Sequence, residues 1–169
     1  MNNVSGNPHG PVQLAEIILD WSKDKAPTLI GLAGLPGSGK TTLAALLVKE
    51  IKRISDKEAL SISLDDFYLR PEERKARGLR WRAVPGSHDL KLLDEFLKSI
   101  NSETKTIEVP RYDTRAEVRL DQVVQSRPDI VIFDGWLIGA RACGYEQLEM
   151  RLTVLSLSTW TSKSHTNRV

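Results

Sequence analysis

Cysteine is nearly missing from this sequence: Cys143 stands alone among 169 residues. No internal disulfide can form, so the fold must be held by burial and hydrogen bonds, and a reducing, cytoplasmic setting is expected. An excess of one charge is lacking too. The 24 lysines and arginines are nearly offset by 22 acids, and a net charge of +2 does not point to a polyanionic partner. No apolar run approaches the length of a bilayer crossing, so no membrane association is expected. The first residues are polar and rich in Asn, Gly and Pro, without the apolar stretch of a signal peptide. No internal repeat is present. What remains is an ordinary globular composition, 40% apolar and 27% charged. The chain is long enough for one domain with a substantial core.

Residues 1–10 read as a flexible terminus. Pro11 suits the first turn of a helix, and Leu14, Ile17, Ile18 and Trp21 follow at helical spacing, which makes Trp21 a packing residue. Thr28 to Ala33 is a short apolar run that suits a buried strand. Thr42 to Ile54 reads as a helix with Leu43, Leu46, Leu47 and Ile51 as its inward stripe. Ala59 to Leu64 alternates Leu60, Ile62 and Leu64, and reads as a second strand ending at Asp65 and Asp66. Phe67 to Ser87 is charged and broken by Pro71, Gly78, Pro85 and Gly86, so a short helix within loops is expected. His88 to Ile100 returns to a helical pattern, with Leu90, Leu93, Phe96 and Leu97 on one side. Thr106 to Val109 is a short strand candidate. Ile130 to Phe133 is a strong one, ending in Asp134, and Leu152 to Leu157 is a last one. This order implies an α/β domain with a mainly parallel sheet and right-handed crossovers. Its site belongs at the carboxyl ends of the strands.

Gly34-Leu35-Pro36-Gly37-Ser38-Gly39-Lys40-Thr41 matches G-x-x-x-x-G-K-[ST] in full, between an apolar strand and an amphipathic helix. Glycines let the backbone turn tightly and present its N–H groups to phosphate oxygens. The helix that follows adds its partial positive end. Lys40 can reach the β- and γ-phosphates of ATP, and the Thr41 hydroxyl can bind Mg²⁺. These eight residues and the adjoining Thr42 are the expected nucleotide-binding set.

Asp65 and Asp66 fall where the second strand ends, near the expected γ-phosphate. A carboxylate there can take the proton of an attacking hydroxyl or hold the metal, or simply cap a turn. Asp134 has the position of a Walker-B acid, the alternative being a strand-ending turn with Gly135. Arg70, Arg74, Lys75, Arg77, Arg80 and Arg82 gather around Trp81. Three readings stand: a solvated helix, contacts to an anionic substrate or nucleotide, and a nucleic-acid patch. Glu72 and Glu73 interrupt the run and weigh against the last. His88 by itself reads as a capping or packing residue. Arg111 can clamp a carboxylate or phosphate, or form a surface ion pair. Cys143 has no neighbouring Cys or His and is given no role.

The order Gly34–Thr41, Ser63-Leu64-Asp65-Asp66-Phe67-Tyr68, Pro85-Gly86-Ser87-His88-Asp89, Pro110-Arg111-Tyr112-Asp113, Phe133-Asp134-Gly135-Trp136 resembles D-glycerate 3-kinase and its P-loop relatives. That group includes uridine kinase, phosphoribulokinase and bacterial pantothenate kinase. Asp-Asp-Phe-Tyr is shared across the group, whereas Gly-Ser-His-Asp and Gly-Trp look particular to the glycerate kinase branch. The resemblance runs from about Leu29 to Arg141. It implies a three-layer α/β/α P-loop fold and Mg·ATP-dependent phosphorylation of a small hydroxyl compound, D-glycerate first. Nucleosides, pantothenate and other sugar acids are the alternatives. It makes Asp65 the catalytic base beside Lys40, and turns Asp66, Tyr68, His88, Arg111 and Tyr112 toward the substrate. Thr41 and Asp134 fall near Mg²⁺; Asp134 stands where the family usually has the longer glutamate.

On this basis residues 11–150 are expected to form the kinase domain, with residues 65–115 a substrate-binding insertion. Residues 151–169 depart from the family. Such kinases continue with further strands, helices and a basic lid, whereas residues 156–167 are Ser/Thr-rich without an amphipathic period. The expectation is a kinase fold cut short at its C-terminus, through truncation, an artificial boundary or a shifted reading frame. A chain without a lid binds nucleotide but can fall short of full activity.

Overall fold

The computed structural model describes residues 10–23, 27–140, 144, 145, 148 and 151–156. The terminus before Gly10, Cys143 and the Ser/Thr-rich ending after Ser156 lie outside the described residues. The elements run α1 Pro11–Trp21, β1 Thr28–Ala33, α2 Lys40–Ile54, β2 Ala59–Ser63, a 3₁₀ turn Leu64–Phe67, and α3 Pro71–Ala76. They continue with α4 Leu90–Ile100, β3 Thr106–Asp113, β4 Val118–Ser126, β5 Ile130–Gly135 and β6 Thr153–Ser156.

Four strands form one parallel sheet in the order β2-β5-β1-β6. Side chains alternate across a strand, and both faces of this sheet are covered. Ile30, Leu32, Ile130 and Ile132 face Ala15 and Ile18 of α1 and Leu43, Leu47 and Ile51 of α2. Leu29, Val131, Phe133, Leu60 and Ile62 face the other way, onto Leu93, Phe96, Leu97 and Ile100 of α4. Phe67 and the inner residues of β3, Ile107 and Val109, join that second core. Two apolar cores separated by a parallel sheet make the expected three layers. Among the described residues no helix is long and apolar enough to cross a membrane.

The differences from expectation lie where polar groups set the ends of elements. The helix after the glycine-rich loop starts at Lys40, not Thr42, because Leu43 N–H donates to the Gly39 carbonyl at 2.9 Å and closes the first turn there. The helix expected from His88 starts at Leu90. Asp89 caps it, its carboxylate accepting from Leu92 N–H at 3.0 Å. His88 instead bridges back to Tyr68 in an antiparallel pair. β2 stops at Ser63, whose hydroxyl accepts from Asp65 N–H at 3.2 Å and turns the chain into the 3₁₀ turn. The strand expected over Thr106–Val109 continues to Asp113 and pairs with β4 as an antiparallel hairpin. β4 was not expected. Its residues are nearly all exposed, so no apolar alternation marks it. β6 spans Thr153–Ser156, shorter than the expected Leu152–Leu157, of which Leu157 lies outside the described residues.

Gly135 fixes how the 3₁₀ turn sits. A Cβ there would stand 2.7 Å from Leu64 Cβ, so only glycine lets the turn that carries Asp65 close onto the end of β5.

Candidate nucleotide and acceptor site

Gly34–Gly39 links the end of β1 to the start of α2. Gly37 and Gly39 take φ of 76° and 85°, the left-handed region open to glycine. Ser38 N–H donates to the Leu35 carbonyl at 3.1 Å, closing the turn. Lys40 curls back over this loop, and its Nζ donates to the same carbonyl at 2.7 Å. Burial lowers the pKa of the ammonium, against the pull of the Asp134 and Asp65 carboxylates.

Asp134 lies inside β5, in register with Leu32 on one side and Ser63 on the other. Its Oδ1 accepts from the Thr41 hydroxyl at 3.1 Å and from the Ser63 hydroxyl at 3.3 Å. Burial raises its pKa and these two hydrogen bonds oppose that; nearby Asp65 raises it further and Lys40 lowers it. Lys40, Thr41, Ser63, Asp65 and Asp134 therefore share one neighbourhood at the carboxyl ends of β1, β2 and β5. The sequence reading missed Ser63. Its signal was available in the β2 alternation, which sends Ser63 to the face opposite Leu60 and Ile62.

These residues fit a phosphate chain and a hard cation. The Ser38 hydroxyl is buried without a partner among the described residues, a donor that a phosphate oxygen would satisfy. The Thr41 hydroxyl and the Asp134 carboxylate supply oxygen ligands of the kind Mg²⁺ takes.

The residues expected to face an acceptor gather around the 3₁₀ turn. Tyr68 is buried, and burial together with the adjacent Asp65 carboxylate pushes its phenol well above its usual pKa. The Tyr68 ring stacks on His88 with centroids 4.4 Å apart and meets Tyr112 edge-on at 5.7 Å. His88 is fully buried, its Nδ1 2.5 Å from the Tyr145 hydroxyl, and burial lowers its pKa to about 4. Its ring is packed between those of Tyr68 and Tyr145. The structure brings Asp66 and Arg111 to each other. Asp66 accepts from Arg111 Nη1 at 3.2 Å, Tyr112 N–H at 3.1 Å and Ser63 N–H at 3.3 Å, tying the turn to β3. Burial raises its pKa, opposed by those donors.

The basic stretch splits in two. Arg80 lies over the Trp81 ring at 4.9 Å, and Trp81 is 65% exposed. Arg74 and Arg82 instead share Glu117, each at 3.1 Å, and Arg82 also donates to the Thr114 carbonyl. Arg119 of β4 donates to the Tyr68 carbonyl at 3.2 Å and to Asp89 at 3.0 Å. Glu117 and Arg119 escaped the sequence reading because they belong to the hairpin that no periodicity revealed.

A parallel sheet with a glycine-rich strand-to-helix loop, a buried lysine and a hydroxyl–carboxylate pair at the strand ends defines a P-loop nucleotide-binding domain. The chain belongs to the Phosphoribulokinase / Uridine kinase family, whose sequence pattern matches residues 29–142. It is 36% identical over 135 residues to the chloroplastic D-glycerate 3-kinase of Arabidopsis thaliana, a match covering 69% of this chain and 29% of that protein. It is 35% identical over 115 residues to the pantothenate kinase of Bacillus velezensis, covering 66% of this chain and 36% of the relative. Among solved structures, the D-glycerate 3-kinase of Cryptococcus neoformans superposes with a TM-score of 0.67 at 28% identity, covering 83% of this chain and 57% of that one. The chain thus spans about a third of the length of these two curated relatives.

Proposed function

We propose that this domain transfers the γ-phosphoryl group of Mg·ATP to a hydroxyl of a small metabolite, with D-glycerate the leading acceptor. The observation that carries this is the meeting of Lys40, Thr41, Ser63, Asp65 and Asp134 at one end of the sheet. Phosphoryl transfer depends on positioning and charge stabilisation more than on covalent chemistry, and this set supplies both. Lys40 and the loop N–H groups hold the β- and γ-phosphates. Thr41 and Asp134 would hold Mg²⁺, which when bound would neutralise phosphate charge. Asp65 orients the acceptor hydroxyl and takes its proton as the oxygen bonds to phosphorus and the bond to the ADP oxygen breaks. Tyr68, His88 and Tyr112 wall the acceptor side, and Asp66 with Arg111 holds the turn and β3 in place. D-glycerate leads because the Gly-Ser-His-Asp and Gly-Trp elements resemble those of that branch, and because the Arabidopsis relative bears that name. Pantothenate is the second reading, supported by the 35% identity to the Bacillus enzyme.

The test is ADP release by the purified chain with Mg·ATP, alone and with D-glycerate, pantothenate, uridine and ribulose 5-phosphate in turn. Release should be stimulated by D-glycerate and should fall at least about 100-fold in Lys40→Ala. Unchanged turnover in that variant would sink the mechanism. ATP binding without stimulated release would leave a nucleotide-binding domain incomplete as a kinase.

A further inference from the structure

Beyond the phosphate loop, four buried nitrogens have no partner among the described residues: Arg74 Nη1, Arg119 Nε, His88 Nε2 and Trp136 Nε1. Two belong to guanidinium groups, whose charge cannot be shed by deprotonation. Arg74 is on α3, its side chain only 10% exposed. Arg119 stands across the hairpin from Tyr112, in register with it. Tyr112 lies within electrostatic reach of Arg74, Arg82, Arg119 and Glu117 together, and its ring meets Tyr68, the neighbour of Asp65. Three guanidiniums thus border the acceptor side, and their ion pairs are with two carboxylates, Glu117 and Asp89. Arg111 is not among them, being paired with Asp66. Glu117 has φ of 55°, an uncommon backbone for a residue with a side chain, and from it one carboxylate spans both Arg74 and Arg82. Paired guanidinium forks with spare N–H groups suit a two- or three-oxygen anion.

We propose that Arg74 and Arg119 bind an anionic head group on the acceptor, and that Glu117 holds the Arg74–Arg82 pair as an internal competitor which that anion displaces. This rests on the kinase reading above and narrows it. The acceptor is an acid, a carboxylate or a phosphate ester bearing a free hydroxyl, and not a neutral nucleoside. The arginines act on acceptor binding, so their loss falls on KM for the acceptor.

Acid binding is measured by calorimetry on the purified chain without nucleotide, and ADP release is measured in parallel. The probes are D-glycerate, pantothenate, ribulose 5-phosphate and uridine. The variants are Arg74→Met and Glu117→Gln. At least one acid should bind the parent chain, the first two reporting a carboxylate and the third a phosphate. Arg74→Met should weaken that acid about 10- to 100-fold, the loss of a charge-assisted hydrogen-bond pair. Glu117→Gln should tighten it about 3- to 10-fold, since it removes the competing charge; a misfolded variant would not tighten binding, so this arm decides if Arg74→Met fails to fold. Binding of uridine but no acid overturns the proposal and leaves the kinase reading standing. Acid affinity unchanged or weakened in Glu117→Gln, or no acid bound by either protein, also overturns it. The expected pattern of acid binding without any ADP release supports the anion site and counts against the kinase reading instead.

Discussion

The Thr41 hydroxyl donates to Asp134 Oδ1 across 3.1 Å, joining the first turn of α2 to the interior of β5. The contact sets a hydroxyl beside a buried carboxylate, two oxygen ligands of the kind that would hold Mg²⁺. Asp134→Ala should therefore raise the Mg²⁺ concentration for half-maximal ADP release at least about 10-fold and cut kcat by about 100-fold or more. A Mg²⁺ titration of parent and variant checks this; superimposable curves would remove Asp134 from the metal site.

Asp65 sits on the 3₁₀ turn beside Tyr68 and within the field of Lys40 and Asp134. Asp65→Asn keeps the shape and removes the proposed base. We expect kcat to fall about 10²- to 10⁴-fold with KM for ATP little changed. A loss confined to KM for ATP would assign Asp65 to nucleotide binding.

Gly135→Ala tests the close approach of the turn to β5. The new methyl would lie 2.7 Å from Leu64 Cβ, so either the turn or the strand must move. Overpacking of this kind costs about 1–3 kcal/mol in stability. Because Leu64 precedes Asp65, kcat should fall as well. Urea unfolding and steady-state kinetics on the same variant measure both effects.

Arg111→Met separates two roles for one cation. Asp66 would keep its two backbone donors, Ser63 and Tyr112, so the fold survives with a loss of about 1 kcal/mol. If Arg111 only holds Asp66, KM for the acceptor stays within about twofold. A rise of about 10-fold or more, read from acceptor-dependent ADP release, would return Arg111 to the substrate.

His88 makes stability depend on pH. Burial lowers its pKa from 6.5 to about 4 in the fold. Below pH 6.5 the unfolded chain gains a proton that the folded chain refuses until about pH 4, so this contribution is complete above that window and is lost as pH falls through it. The loss between neutral pH and about pH 5 is on the order of 2 kcal/mol. Asp66 and Asp134 act in the opposite sense, since their raised pKa values make the folded state take up protons before the unfolded one. Urea unfolding across this range should show a shallower fall in His88→Gln than in the parent; equal slopes would mean that His88 is charged in the fold.

What was legible in advance is what short-range chemistry encodes. The loop from Gly34 to Thr41 could be read directly because its function needs particular backbone freedom and particular side chains at fixed spacing. The central strands β1 and β5 were legible as uninterrupted apolar runs, and α2 as a period of 3.6, because each is buried against a partner that demands that pattern. The acids at strand tips followed from the parallel sheet alone. Only tertiary structure decided who pairs with whom. Asp66 and Arg111, expected beside the substrate, pair with each other across two elements, a contact that no sequence spacing showed. The burial of His88 between Tyr68 and Tyr145 is likewise a product of the fold, since the three residues lie far apart in sequence. Ser63 joined Thr41 on Asp134 because strand register, not sequence spacing, sets that distance. β4, and with it Glu117 and Arg119, left no periodic trace. A hairpin strand exposed on nearly all its residues gains its pairing from the backbone, and backbone hydrogen bonds leave no mark on side-chain order.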